Sequence, residues 1–170
     1  YGTNVILPLN DFEVIGNFCI QNQIDTLLPG GEDTLVAGIR NYFESTQILS
    51  HIFVFGPDRT GALLEGSKEF AKAFMSRHNI PTAKYRAFTA DEFEAAKAFL
   101  REMKPPYVIK ADGLAAGKGV MIPVTLDEAD RCLEETMVAK RFGSAGDKVV
   151  IEEFLDGIEV SFFAVTDGKS

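Results

Sequence analysis

The chain has 170 residues, 46% hydrophobic and 25% charged, the balance of an ordinary folded protein of one domain or two small ones. That balance excludes a disordered tail, a collagen-like rod and a disulfide scaffold. With 17 Lys and Arg against 25 Asp and Glu the net charge is −8, which disfavours nucleic acid and anionic membrane as general partners.

Taken in chain order, residues 5–7 form a short apolar run that predicts a strand. Asn10-Asp11-Phe12-Glu13 resembles a capping box, and Phe12, Ile15 and Cys19 follow on one helical face. Residues 24–28 predict a buried strand ended by Pro29-Gly30-Gly31. A helix is expected over residues 35–43 and a strand over 51–55, stopped by Gly56-Pro57. This alternation of strand and helix is that of a parallel α/β sheet. Residues 58–79 read as helical, interrupted at Gly66-Ser67, where Ser67 can cap a new helix carrying Phe70 and Phe74.

Ile80-Pro81-Thr82 marks a domain boundary, so residues 1–79 and 80–170 are expected to be separate units. Beyond it the layout becomes α+β. Strands are expected at 84–88, 107–110, 120–124, 148–154 and 158–165, the last two joined by a turn at Asp156-Gly157. Thr89-Ala90-Asp91-Glu92 and Thr125-Leu126-Asp127-Glu128 are capping boxes. The first leads into Phe93, Ala96 and Leu100, the second into the stripe Leu126, Ala129, Leu133 and Met137. Phe142 to Gly146 is a glycine-bearing loop. There are no repeats and no run of transmembrane length.

The strongest chemical signal is Lys110-Ala111-Asp112-Gly113-Leu114-Ala115-Ala116-Gly117-Lys118-Gly119-Val120. A strand delivers Lys110, a loop of glycines and alanines holds Lys118, and a second strand leaves. Small residues let backbone N–H groups approach an anion, and two lysines supply charge for a polyphosphate. The spacing is not that of a P-loop, which needs four residues before Gly-Lys and then Ser or Thr. No glycine fingerprint enters a helix, so the dinucleotide motif is absent as well.

A second segment is Val149-Val150-Ile151-Glu152-Glu153-Phe154-Leu155-Asp156-Gly157-Ile158-Glu159. Adjacent Glu152 and Glu153 face opposite ways on a strand, a poor general acid/base pair. The strand edge could offer backbone groups to a flat heterocycle, with Phe154 and Leu155 as walls and Glu159 on a ribose hydroxyl. Taken alone, a hairpin with surface carboxylates fits better. Third, Lys68 is expected in the first turn of a helix, against the dipole unless an anion is near; a solvated lysine fits equally well. His51 and His78 are isolated, with no zinc spacing and no nucleophilic triad. Cys19 and Cys132 read as buried reduced thiols of a cytosolic protein.

Phe55-Gly56-Pro57, Leu64-Glu65-Gly66-Ser67-Lys68, Ile80-Pro81-Thr82-Ala83, the 110–120 run, Phe142-Gly143 with Ala145-Gly146, and Ile151-Glu152-Glu153-Phe154-Leu155 together resemble the phosphoribosylamine–glycine ligase family, glycinamide ribonucleotide synthetases of the ATP-grasp superfamily. The resemblance spans nearly the whole chain in order and spacing. It implies the end of an N-terminal parallel-sheet domain with its linking helices, then the first part of an ATP-grasp domain with the small subdomain that covers ATP. It implies ATP phosphates on Lys68, Lys110 and the loop Ala116, Gly117, Lys118, Gly119 and Val120. Adenine would lie on Glu152, Glu153, Phe154 and Leu155, largely through backbone groups, and the ribose on Glu159. The implied partners are ATP, glycine and 5-phosphoribosylamine with Mg²⁺ or Mn²⁺, no nucleic acid and no membrane, and the parent is compatible with a monomer. The implied reaction, a step of purine biosynthesis, forms glycinamide ribonucleotide, ADP and phosphate through a glycyl phosphate.

The sequence departs from the family at Gly30-Gly31-Glu32-Asp33-Thr34-Leu35, where two prolines are replaced; a looser loop is expected on the phosphoribosylamine side. The family's N-terminal glycine-rich start and its C-terminal acidic metal ligands have no counterpart here. The chain is therefore expected to be an internal piece of a longer protein, inactive alone and without metal ligands of its own. Another ATP-grasp ligase and a non-catalytic nucleotide-binding module are the alternatives.

Overall fold

The structure, a computed structural model, describes residues 2–113 and 118–166. Residues 12–54 build a small α/β unit. Helix α1 (Phe12–Gln21) starts at Asp11, whose carboxylate accepts from the Val14 N–H at 3.0 Å. It buries Ile15 and Cys19. Strands β1 (Thr26–Leu27) and β2 (Phe53–Val54) pair in parallel, as the alternation of strand and helix requires. The expected helix over 35–43 is instead two, α2 (Glu32–Ala37) and α3 (Ile39–Ser45). Gly38 between them lies at φ +96°, a left-handed residue that ends one helix and starts the next. Ile15, Cys19, Ile39, Phe43, Leu49, Ile52 and Val54 close the core.

Helices α4 (Arg59–Gly66) and α5 (Lys68–Arg77) follow, with Ser67 between them capping α5 through the Phe70 N–H at 3.1 Å. The interruption expected at Gly66-Ser67 is therefore present.

The second sheet has the order β3-β6-β4-β5 and is antiparallel throughout. Its strands are β3 (Tyr85–Thr89), β4 (Tyr107–Ala111), β5 (Val120–Met121) and β6 (Lys148–Glu153). On one face Phe88, Tyr107, Ile109, Val149 and Ile151 pack against α6 (Phe93–Glu102) and α7 (Leu126–Leu133). Ala96 and Leu100 of α6 and Ala129 and Leu133 of α7 are fully buried there. Both expected capping boxes form, at Thr89 with Glu92 and at Thr125 with Glu128. The stripe reaches Met137 because α7 runs on into a wider π-helical turn over Glu134–Val138.

Two expected strands are absent. Residues 5–7 and 158–165 have extended or irregular backbone and no ladder partner among the described residues. An apolar run becomes a strand only where a neighbour takes its backbone hydrogen bonds. Ile158, Val160, Phe162 and Phe163 stand at least 80% exposed, so the hairpin about Asp156-Gly157 is not formed either. The strand expected over 120–124 is also shorter, ending at Met121.

Glu128 caps α7 by accepting from the Val124 and Thr125 N–H groups at 3.0 and 3.2 Å. These bonds, the Val124 one foremost, hold its carboxyl below the usual carboxylate range. Because the folded value is the lower one, the stabilisation is present above the unfolded value and fades as pH falls through the folded one. Glu128→Gln is expected to lower the denaturation midpoint near neutral pH, with the gap to the native chain narrowing at about pH 3. An equal gap at both pH values would remove the carboxylate's charge from the cap.

Candidate functional site: a lysine cluster on the second sheet

The face of the second sheet opposite α6 and α7 carries the site. Register places Lys110 of β4 opposite Val150, and Val108 opposite Glu152 of β6. Strand alternation then turns Glu152, Val150 and Lys110 away from the apolar core formed by Ile109, Val149 and Ile151. Helix α5 lies over this face and brings Lys72. Its ammonium sits 2.9 Å from Glu152 Oε2, and the Lys110 ammonium sits 3.0 Å from Oε1. Lys72 and Glu152 are only 6% and 4% exposed, while the Lys110 side chain keeps 27%. Lys72 also donates to Thr82 Oγ1 at 2.8 Å and to the Ala83 carbonyl at 3.3 Å.

The N-terminus of α5 meets the start of the glycine loop. Asp112 accepts from Ser67 Oγ at 3.2 Å and from the Glu69 N–H at 3.1 Å. The anion beside this helix start is thus the protein's own carboxylate. Lys68, in the first helical position as expected, donates to the Gly113 carbonyl at 3.0 Å. Lys148 pairs with Glu69, whose carboxylate pushes the lysine pKa up. The 3₁₀ turn Gly143–Asp147 lies beside Gly113: a Cβ at Gly113, whose φ is +106°, would meet the Ala145 methyl at 3.5 Å, and a Cβ at Gly146 would meet the Thr136 carbonyl at 2.4 Å. That close approach explains the glycine at 146.

Of the residues expected on phosphates, Lys68 and Lys110 are both drawn to this loop and face. Gly119 accepts from the Ala111 N–H at 2.8 Å, and Lys118 and Val120 beside it are exposed. Ala116 and Gly117 lie outside the described residues. Glu152 has its carboxylate between two lysines and its backbone inside the sheet, in register with Val108 of β4 and Tyr85 of β3, so neither is open to a ring. Glu153 accepts from the Lys84 N–H at 2.8 Å. Phe154 and Leu155 are exposed at the end of β6, with Glu159 exposed beyond them. A cavity of 630 Å³ lies next to Phe154 among Lys84, Phe99, Met103 and Pro105. It does not include Lys68, Lys72, Lys110 or Lys148. A second hollow of 590 Å³, lined by Leu7, Ile15, Leu27, Gly30, Gly31 and Thr34, opens at the altered proline segment.

Lys72, Glu69 and Lys148 were not singled out by sequence. Lys72 had a usable signal: it stands four residues after Lys68, hence on the same helical face. The site gathers Lys68, Lys72, Lys110 and Lys148 against Glu69, Asp112 and Glu152. A chain of net charge −8 therefore carries a local positive excess beside a glycine loop. Among the described residues, no group of three or more His, Cys, Asp or Glu is placed to hold a metal ion.

Comparison with known proteins places the chain in a family. Residues 1–65 match the family described as "Phosphoribosylglycinamide synthetase, N domain", and residues 66–170 match "Phosphoribosylglycinamide synthetase, ATP-grasp (A) domain". The chain belongs to the phosphoribosylglycinamide synthetase family. It is 47% identical over 167 residues to the phosphoribosylamine–glycine ligase of Pasteurella multocida, covering 98% of this chain and 38% of that protein. To the ligase of Escherichia coli K12 it is 45% identical over 166 residues, with 98% and 37% covered. A bifunctional purine biosynthetic protein of Pichia angusta is 47% identical over 161 residues, covering 95% of this chain and 20% of that one. Among solved structures, the ligase of Thermotoga maritima superimposes with TM-score 0.66 at 31% identity, covering 92% of this chain and 35% of that one. The biotin carboxylase domain of a Hydrogenobacter thermophilus 2-oxoglutarate carboxylase shares the fold, with TM-score 0.68 at 22% identity, covering 91% and 34%. The chain thus spans less than two-fifths of the length of these synthetase relatives.

Asp112 connects the synthetase glycine loop to α5. Asp112→Ala is expected to destabilise the fold by about 1–2 kcal/mol, the usual effect of losing a helix cap. Asp112→Asn, which keeps an acceptor, should lose less. Urea midpoints test this; an unchanged midpoint for Asp112→Ala would mean that Ser67 alone is a sufficient cap.

Proposed function

We propose that the polypeptide carrying this chain joins glycine to 5-phosphoribosylamine at the expense of ATP, giving glycinamide ribonucleotide, ADP and phosphate in purine biosynthesis. The observation that carries the reading is the joint match to both synthetase domains, N and A. A shared ATP-grasp fold alone would leave another ligase of that superfamily equally open. A non-catalytic nucleotide module is the remaining alternative. In this reading residues 1–79 close the N-terminal domain with its linking helices. Residues 80–170 begin the ATP-grasp domain, including the subdomain that covers ATP.

The chemistry needs a positive, water-excluding place for phosphates more than a protein nucleophile. A glycine carboxylate oxygen attacks the γ-phosphorus and ADP leaves. The amine nitrogen of phosphoribosylamine then attacks the acyl carbon and phosphate leaves. Lys110, Lys118 and the backbone of Ala116, Gly117, Gly119 and Val120 are assigned to the phosphates. Lys68 joins them by exchanging the Gly113 carbonyl for a phosphate oxygen. Backbone at the end of β6, from Glu153 through Phe154 and Leu155, is assigned to adenine, and Glu159 to the ribose. The hollow beside Gly30 and Gly31 is assigned to the phosphoribosylamine side.

The family resemblance brings Mg²⁺ or Mn²⁺ with ATP. In this reading, on the strength of the resemblance, the acidic ligands of that ion lie beyond Ser170. A cytoplasmic location belongs to the same proposal and is supported by Cys19 and Cys132 as free thiols. No helix among the described residues is long and apolar enough to cross a membrane.

The test is ADP formation by the complete polypeptide with glycine, phosphoribosylamine and Mg²⁺, each omitted in turn. Turnover is expected only with all present, and Lys110→Ala should lower kcat by about 10²-fold or more. Nucleotide binding without turnover would favour the non-catalytic module. Turnover with a different carboxylate and amine would favour another ligase.

A further inference from the structure

From the shared carboxylate of Glu152, we infer that Lys72 is a positioning residue that leaves the charge of Lys110 only partly offset and available to the phosphates of the nucleotide. The inference rests on the proposed phosphate role of Lys110. One carboxylate facing one lysine makes a neutral pair. Here one carboxylate faces two, Lys72 on Oε2 at 2.9 Å and Lys110 on Oε1 at 3.0 Å, and the trio keeps one positive charge. The exposed member of the trio is Lys110, so that charge is presented on the open face.

Lys72 cannot take part directly. Its ammonium has three N–H groups and three protein acceptors, Glu152 Oε2, Thr82 Oγ1 and the Ala83 carbonyl. It is also buried under Tyr85, whose ring lies 5.6 Å from the ammonium. Lys110, by contrast, meets a single protein acceptor among the described residues, Glu152 Oε1 at 3.0 Å, so its other N–H groups can turn toward an incoming anion. Lys72 acts by neutralising its share of the Glu152 carboxylate, so that Lys110 is not that carboxylate's sole counter-charge.

The account makes charge, rather than packing, the decisive quantity, and three variants of the complete polypeptide separate them. Calorimetric titrations with ADP and with adenosine, which lacks phosphates, are the readout. Lys72→Met leaves a neutral Lys110–Glu152 pair and should weaken ADP binding about tenfold or more with adenosine unchanged. Lys72→Arg should stay close to the native affinity. The double variant Lys72→Met/Glu152→Gln restores one local positive charge and should recover most of the lost ADP affinity, although it removes more native contacts. The inference is overturned if Lys72→Met binds ADP as the native protein does, if adenosine affinity falls in parallel, or if the double variant binds ADP no better than Lys72→Met. Lys110→Met is the control on the underlying reading. If it binds ADP with native affinity, the phosphate role of Lys110 fails and the inference falls with it. If it weakens ADP binding while Lys72→Met does not, only the inference fails.

Discussion

The arrangement of the second sheet turns on one buried carboxylate. Removing an ionised Glu152 from water costs several kcal/mol, and it is tolerated only because two ammonium groups meet it. Such a group is a strong constraint on register. Slipping β6 by one residue would move Glu152 to the face of Leu100, Ile109 and Leu133, where no cation waits. The same carboxylate fixes where α5 lies, since only that helix supplies Lys72. The ion pair is thus better understood as specifying geometry than as adding stability, because a buried pair often gains little over apolar packing.

Asp112 works from the other end of the helix. Its carboxylate sits on the first turn of α5, on Ser67 and the Glu69 N–H, while its own N–H reaches the Lys148 carbonyl at 2.9 Å. One residue therefore joins a helix start, the end of β4 and the start of β6. This contact, with Lys68 on Gly113, ties the glycine loop to a helix that continues from the first α/β unit. The N-terminus of α5 is already satisfied by an anion, so in the proposed phosphate site the attraction would come from side-chain ammonium groups rather than from the helix dipole.

Much of this was legible in the sequence, for physical reasons that differ by residue. Thr89 and Thr125 announced their helices because the capping box is a local motif of four residues. The β4 strand and its glycine loop were legible because Lys110 to Val120 combines a buried run with small residues. Gly38 was read through as part of a helix, since a glycine in an otherwise helical pattern does not declare its φ. Residues 158–165 look like a strand by composition, but strand formation depends on partners that sequence does not supply. Glu152 was placed on adenine by resemblance, but its backbone is inside a sheet paired on both sides of β6. The fate of its side chain depended on Lys72, which reads as an ordinary helical lysine until the register of β6 and the position of α5 are known together.

The acidic chain and its cationic site are reconciled by distance. A net charge of −8 spread over the surface repels a nucleoside triphosphate at long range, yet at physiological ionic strength that field decays over about 8 Å. Within that distance of Lys110 the local balance decides, and it depends on how many lysines answer each carboxylate. Glu69 and Asp112 are each engaged by groups of the protein, and Glu152 is shared by two. Selection for phosphate can therefore be local in a protein whose overall charge would turn phosphate away. It follows that charge changes elsewhere on the surface bear mainly on encounter, whereas a change inside the Lys72–Glu152–Lys110 group alters the site itself.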